Sequence, residues 1–279
     1  MIRSMFSAVT GLKNHQTMMD VIGNNIANVN TAGYKSSRVL FRDLYYQTVS
    51  DASGASENMG GKNATQIGYG ATVGSVQVLN SRSGYQQTGR TRDQYIAGEG
   101  YFIANDPTGD LLYTRVGALD FDTKGNLIDS NGNFVMGVSG EAAGESIDKG
   151  DLKKITIEDY EKYTDIAIAS DGTITGKNTE TSEVKTLGQI VIAVFNNPSG
   201  LSEKGSLYYG ETANSGEASY VKAGGGLAGA LVSGGLEMSN VDLSKEFTDM
   251  IVAQRGFQAN SRVITTSDQI LEELVNLKR

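Results

Sequence analysis

Leu236, Leu243, Met250, Phe257, Ile264 and Leu271 stand seven residues apart, and every one is apolar. A row on that period stays on one side of an α-helix and forms a seam for another helix. Val263, Ile270 and Leu277 make a second row one residue behind it. From Leu236 onward there is no Pro and one Gly, Gly256, while Lys245, Asp249, Arg255 and Glu272 fall on other faces. A continuous helix from Asp242 to Arg279 would be roughly 55 Å long at ~1.5 Å per residue. A small domain cannot cover that length, so the seam calls for a partner.

The opening of the chain supplies a matching row. Met5, Leu12, Met19 and Ile26 are again seven apart, with Ala8, Ile22 and Val29 at the companion position and His15 as its polar exception. Periodicity alone fits two ordinary surface helices equally well. Position favours the other reading, because two long amphipathic ends flanking a helix-poor middle suit a filament subunit that brings its ends together.

Composition excludes several classes. The formal net charge of -8 argues against general nucleic-acid binding, which needs a basic footprint. With no Cys there is no disulfide framework, thiolate metal site or Cys nucleophile, and a single His removes any His-clustered zinc site. No apolar run approaches the ~20 residues needed to cross a bilayer, so no membrane insertion is expected. Polar residues interrupt the N-terminus every few positions, unlike a secretory leader. Export, if it occurs, is expected without a cleaved signal peptide.

The spacing predicts a helix over Ile2 to Asn28, stopped by Asn24, Asn25, Asn28 and Asn30 before Gly33, residue types that tolerate left-handed backbone. Tyr34 to Gln47 reads as an extended arm or a short helix, and Val49 to Thr65 as a loop or flexible arm. Then come short strands separated by Gly and Asn turns: Ala71 to Leu79, Tyr95 to Ala104, Leu111 to Thr114, Leu119 to Asp122, Leu127-Ile128 and Phe134 to Met136. Gly137 to Gly150 is small and acidic, an expected loop. Gln189 to Phe195 is the most apolar strand and belongs inside a sheet, while Leu231-Val232 is placed to pair back before the last helix. Asp242 is the expected N-cap of that helix, with Glu246 in its first turn.

The fold class expected is therefore a mainly β middle, antiparallel with many short strands, flanked by N- and C-terminal α-helices that pair as a coiled coil. Residues 1–33 and 236–279 would form the terminal coiled-coil domain and 34–70 a connecting arm. Residues 71–235 would form a β-rich domain, with room for a small insertion around 138–165.

Few residues suggest chemistry. Asp120-Phe121-Asp122-Thr123-Lys124-Gly125 begins like a calcium loop but places Lys124 and Asn131 where oxygen ligands are required, so it reads as strand–turn–strand. Gly98-Glu99-Gly100 lacks the third Gly and the helix of a dinucleotide loop and is better suited to bending a sheet. His15, in a helix seam, is badly placed for a catalytic base. No catalytic, cofactor-binding or metal-ligating residue is expected. An enzyme with helical dimer arms would need a pocket with convergent polar groups, which no motif supplies. A secreted binding module whose coiled ends only oligomerise it stays open, and discrete oligomers instead of tubes in electron micrographs would favour it.

The run Asp20-Val21-Ile22-Gly23-Asn24-Asn25-Ile26-Ala27-Asn28-Val29-Asn30-Thr31-Ala32-Gly33-Tyr34-Lys35 resembles the signature of bacterial flagellar rod and hook proteins. Leu236 to Leu243, containing Asn240, and Met250 to Asn260, containing Gln254 and Arg255, resemble the family's second signature. Gly98 to Phe102 and Tyr113 to Gly117 are similar to its β-domain segments. The resemblance implies an axial protein of the flagellum, extracellular in hook or basal body, exported through the flagellar type III apparatus. Its end helices would line a helical tube made of copies of itself, with β domains outside. The ending Ile264 to Leu277 is more similar to the hook protein, which implies a short hook subunit acting as a flexible torque-transmitting joint. A distal rod subunit is the alternative. Partners implied by the family are a distal rod protein, a hook cap and a hook–filament junction protein.

Overall fold

The computed structural model describes residues 2–55, 59–139, 147–181 and 183–277. It divides into two compact units. The first holds residues 1–29, 36–79 and 241–279, and the second holds 30–35 and 80–240.

In the first unit, α1 spans Ile2–Ala27, β1 Ser37–Asp43, β2 Tyr46–Ser50, β3 Thr65–Gly68, β4 Ala71–Val78 and α2 Leu243–Asn276. At ~1.5 Å per residue the helices are about 39 and 51 Å long. Asp242 caps α2 as expected, its carboxylate accepting from the amides of Ser244 at 2.9 Å and Lys245 at 3.3 Å. The helices run antiparallel, because Gly11 lies against Asn260 while His15 lies against Gly256. A Cβ at Gly11 would sit 2.8 Å from Asn260 Nδ2, and one at Gly256 would collide with the His15 ring. Small residues thus let the helix surfaces meet. His15 is half-buried in that seat, 6.4 Å edge-on from the Phe41 ring, and its Nδ1 is buried with no hydrogen-bond partner among the described residues.

The residues expected as an arm are partly sheet. Ser37–Asp43 forms β1, one of the two conformations expected, and pairs antiparallel with β4. Ala71–Val78, expected with the β-rich middle, therefore belongs with the helices. The segment expected as a loop opens and closes in a hairpin of β2 and β3, and every residue of both strands is exposed. Residues 56–58 of that expected loop, and 140–146 of the expected 137–150 loop, lie outside the described residues.

The second unit is antiparallel β throughout its strand pairs. It comprises β5 Tyr85–Gln87, β6 Gln94–Ala97, β7 Tyr101–Asn105, β8 Leu111–Thr114, β9 Leu119–Phe121, β10 Leu127–Asp129, β11 Phe134–Ser139 and β12 Lys153–Lys154. Next come β13 Tyr163–Ile168, β14 Thr173–Asn178, β15 Val184–Val194, β16 Ser202–Gly205, β17 Tyr208–Gly210, β18 Ser219–Lys222, β19 Ala230–Ser233 and β20 Gly235–Glu237. The main path of the large sheet is β13-β14-β15-β11-β7-β8-β17-β16. β15, which contains most of the strand expected to be innermost, pairs with β14, β11, β7 and β18.

Strand alternation sends successive β15 side chains to opposite faces, and here each face feeds a core. Ile190 and Ile192 join Phe102, Leu119, Leu127, Ile155 and Ile174 on one side. Val191 and Ala193 join Tyr101, Ile103, Tyr113, Phe195, Tyr209 and Tyr220 on the other. In the second core Phe195 meets Tyr113 edge-on at 4.8 Å and Tyr101 at 5.8 Å, favourable geometry for ring quadrupoles. Leu231 and Val232 pair back on β6 as expected. Asp120 to Gly125 is a strand end and turn: Asp120 is held by Arg90 at 3.1 Å and by Arg92, and Asp122 accepts from the Thr123 amide at 2.6 Å. Gly98 crosses tightly against Gly229, whose amide donates to the Glu99 carbonyl at 2.9 Å, so these glycines serve a backbone crossing.

Candidate assembly surface and a buried charge cluster

The expected seam is only partly closed. Met5, Leu12, Met19 and Ile26 on α1 are half-buried, as are Met250, Phe257, Ile264 and Leu271 on α2. Full burial falls elsewhere: Ala8 and Ile22 on α1, Ala253 and Ser267 on α2. The antiparallel contact is centred on these residues and on the Gly seats, and the seven-spaced rows lie along its edge. One member of the row needs correction. Leu236 lies in β20, paired with Gln86 of β5, because the helix begins only after the Asp242 cap. Leu243, its first helical member, is exposed.

The second α2 row continues the Gly256 position by sevens and is only partly covered. Val263 is 41 % exposed, Ile270 43 % and Leu277 82 %, joined by Leu274 at 48 %, and near the other end by Phe247 and Ile251. So much apolar surface along one helix marks an interaction face.

The signature asparagines do different jobs. Asn25 is buried and acts as a piece of sheet: its Nδ2 donates to the Ser37 carbonyl at 2.8 Å and its Oδ1 accepts from the Ser37 amide at 3.0 Å. It fastens the end of α1 to β1. Asn28 donates to the Asn24 carbonyl at 2.9 Å and so closes the last turn, in line with the expected stop. Asn30 is exposed, as are Gln254 and Arg255 on α2. Gly33 is buried at φ +75°, a conformation that favours glycine, and its amide donates to the Glu237 carbonyl at 2.8 Å. Asn240 donates to Ser81 Oγ at 3.1 Å.

Three charged residues named only as parts of the resemblance turn out to be buried together in the β unit. Glu237 Oε1 accepts from Lys35 Nζ at 2.7 Å and from the Ser83 amide at 3.2 Å, while Oε2 lies 3.5 Å from an Arg115 guanidinium nitrogen. Lys35 also donates to the Ser81 carbonyl at 2.9 Å, and Arg115 to the Gly98 carbonyl at 2.9 Å with its guanidinium 5.2 Å over the Tyr101 ring. All three residues are at most 3 % exposed. Burial pushes the Lys35 ammonium below its ordinary pKa of 10.5, against the opposing pull of Glu237. The signal available in the sequence was a carboxylate, Glu237, set between apolar Leu236 and Met238.

No described helix is long and apolar enough to cross a membrane. Family profiles match three parts of the chain. Residues 5–35 match the flagella basal body rod protein family, 95–176 the flagellar hook protein FlgE/F/G D1 domain, and 232–277 the flagellar basal body rod FlgEFG protein C-terminal region. The chain is 48 % identical over 281 residues to the flagellar basal-body rod protein FlgG of Bacillus subtilis, with both chains covered completely. It is 36 % identical over 280 residues to the protein of the same name from Borreliella burgdorferi, again with complete coverage of both. To the flagellar hook protein FlgE of that organism it is 29 % identical over a 442-residue alignment that covers both chains. Paired end helices around an antiparallel β middle, with these matches, define a structural component of the bacterial flagellum. The chain belongs to the flagellar basal-body rod and hook protein family. Within it, the hook role expected from the C-terminal residues has less support than the rod alternative.

Proposed function

We propose that the protein is a distal rod subunit, polymerising into a stiff helical tube that carries torque outward along the flagellar axis. The observation that carries this reading is the full-length likeness to basal-body rod proteins, without the long additional segments that the hook relative's 442-residue alignment requires. The segment around 138–165, where an extra domain would be inserted, contributes only the end of β11, the two-residue β12, two short 3-10 turns and the start of β13 among its described residues.

The mechanism follows from the partly covered α2 row. Each large apolar side chain gains about 1.5–3 kcal/mol on full burial. Leu277 gains most of it, and the half-covered Val263, Ile270 and Leu274 about half, when neighbouring copies pack on α2. A self-contact of heterologous type that does not close generates a helix of subunits instead of a ring. Helices α1 and α2 line the tube in this reading, and the chain reaches its place through the flagellar type III apparatus. Hook and rod are separated by deleting the gene and imaging purified basal bodies. Truncated rods without hooks are expected, whereas completed rods lacking only the hook would reverse the assignment.

A further inference from the structure

We propose that the Lys35–Glu237–Arg115 cluster is a register lock. It fixes the short strand β20, and with it the point at which the chain leaves the β unit, at some expense of stability. The inference concerns the β unit by itself and stands whether the subunit builds rod or hook.

The need for a lock comes from β20. It is three residues long, Gly235 opposite Gln87, Leu236 opposite Gln86 and Glu237 opposite Tyr85, with one further backbone contact at each end, Gly234 with Thr88 and Met238 with Gly84. Its partner β5 is exposed throughout. Register is set where one face of a strand is buried and is weak in Gly-rich strands. The buried face of β20 consists of Gly235 and Glu237, so Glu237 is the side chain on it that reports a slip. Leu236 and Met238 flank Glu237, so a one-residue slip in either direction would put an apolar chain in its place. The charges give direction. A slip would remove the carboxylate from Lys35 and Arg115 and leave two buried cations facing a hydrocarbon chain. That arrangement is far costlier than the native one, so the cluster excludes the slipped state.

Its reach is wider than one strand. The Glu237 carboxylate holds Lys35 and the Ser83 amide, and its carbonyl accepts from the Gly33 amide. Lys35 holds the Ser81 carbonyl, Ser83 Oγ donates to the Ser239 carbonyl at 2.7 Å, and the Met238 amide donates to the Gly84 carbonyl at 2.9 Å. Segments 33–35, 81–84 and 237–240 are therefore fixed to one another, and each adjoins a place where the chain passes into or out of the β unit.

The cluster is poorly suited to stabilising the fold. Removing three charges from water is expensive, and good geometry must repay it. Here Glu237 Oε2 and Arg115 Nε are buried with no hydrogen bond, and burial disfavours the charged form of Lys35. Buried ion clusters of this kind can often be replaced by apolar side chains without loss of stability, whereas removing one member is damaging.

The test uses the purified full chain and two variants. Glu237→Gln keeps the shape and strands two cations, so its Tm should drop by about 10 °C. The combined Lys35→Met, Arg115→Met, Glu237→Leu variant should melt at or above the parent. Its Gly33 and Met238 amides should nevertheless exchange with solvent at least about tenfold faster, because register is no longer specified. A combined variant that melts far below the parent, or does not fold, would make the cluster a stabilising element and overturn the proposal. So would one with parental Tm and parental exchange, or a Glu237→Gln variant that melts like the parent.

Discussion

Strand β15 and helix α2 both carry long apolar rows, and they are treated in opposite ways. From Leu187 to Ala193 every residue of β15 is buried, with a core on each face. Over its 34 residues α2 buries only Ala253 and Ser267. The centre of the β unit closes on itself, because a strand flanked by neighbours and faced on both sides leaves nothing there for a partner. The helix packs on α1 at Gly256 and Asn260 and leaves Val263 41 %, Ile270 43 % and Leu277 82 % exposed. One region is finished as a monomer and the other is not, which is the division of labour expected of a polymerising subunit.

That contrast can be broken at its strongest point. Ile192→Ala removes a side chain that is 0 % exposed and should cost about 2–5 kcal/mol, read by denaturant unfolding of the soluble protein. A loss below about 1 kcal/mol would mean that the β unit is not the self-sufficient part.

High pH provides a gentler probe. Tyr208 is pushed up from 10.0 to about 12, first by burial and then by its hydrogen bond to the Asp129 carboxylate. Burial pushes Tyr209 and Tyr113 in the same direction. Between pH 10 and 12 the unfolded tyrosine has lost its proton while folded Tyr208 retains it. The folded state then holds more protons, and stability falls as pH rises through that window. Tyr208 alone should account for a loss of ~2 kcal/mol. Lys35, whose pKa is lowered, works in the opposite sense only below 10.5, and it is one group against three. The loss should be read as a falling midpoint in denaturant unfolding at stepped pH between 10 and 12. A flat stability between pH 10 and 12 would contradict the burial of these rings.

The smallest effect on the monomer sharpens the comparison most. Leu277→Asp alters a side chain that is 82 % exposed, so monomer stability should stay within about 0.5 kcal/mol of the parent. Rod assembly, scored as motility and as rods in electron micrographs, should nonetheless fail. Normal rods from this variant would remove the exposed row from the assembly surface.

What could be read in advance was local. The start of α2 was visible in Asp242, the end of α1 in its Asn-rich turn, and the interior position of β15 in an unbroken apolar run. Each signal depends on residues within one turn or one strand of each other. The seam rows were visible too, but periodicity says only that a side is apolar and not which element covers it. Asn25 illustrates the limit: it counts as a helix stop in the sequence, and only the approach of Ser37 turns it into a fastening for β1.

The sequence by itself determined two amphipathic end helices, a β-rich middle cut by Gly and Asn turns, and membership of a flagellar family. These rest on periodicity, turn chemistry and long motifs, all of which are properties of neighbouring residues. Tertiary structure alone decided that β4 joins the helices, that His15 is seated against Gly256, and that Lys35, Arg115 and Glu237 meet in the interior. The physical reason is distance along the chain. Lys35 and Glu237 are 202 residues apart, and whether a charge is solvated or buried against its opposite depends on chain closure that no local pattern records.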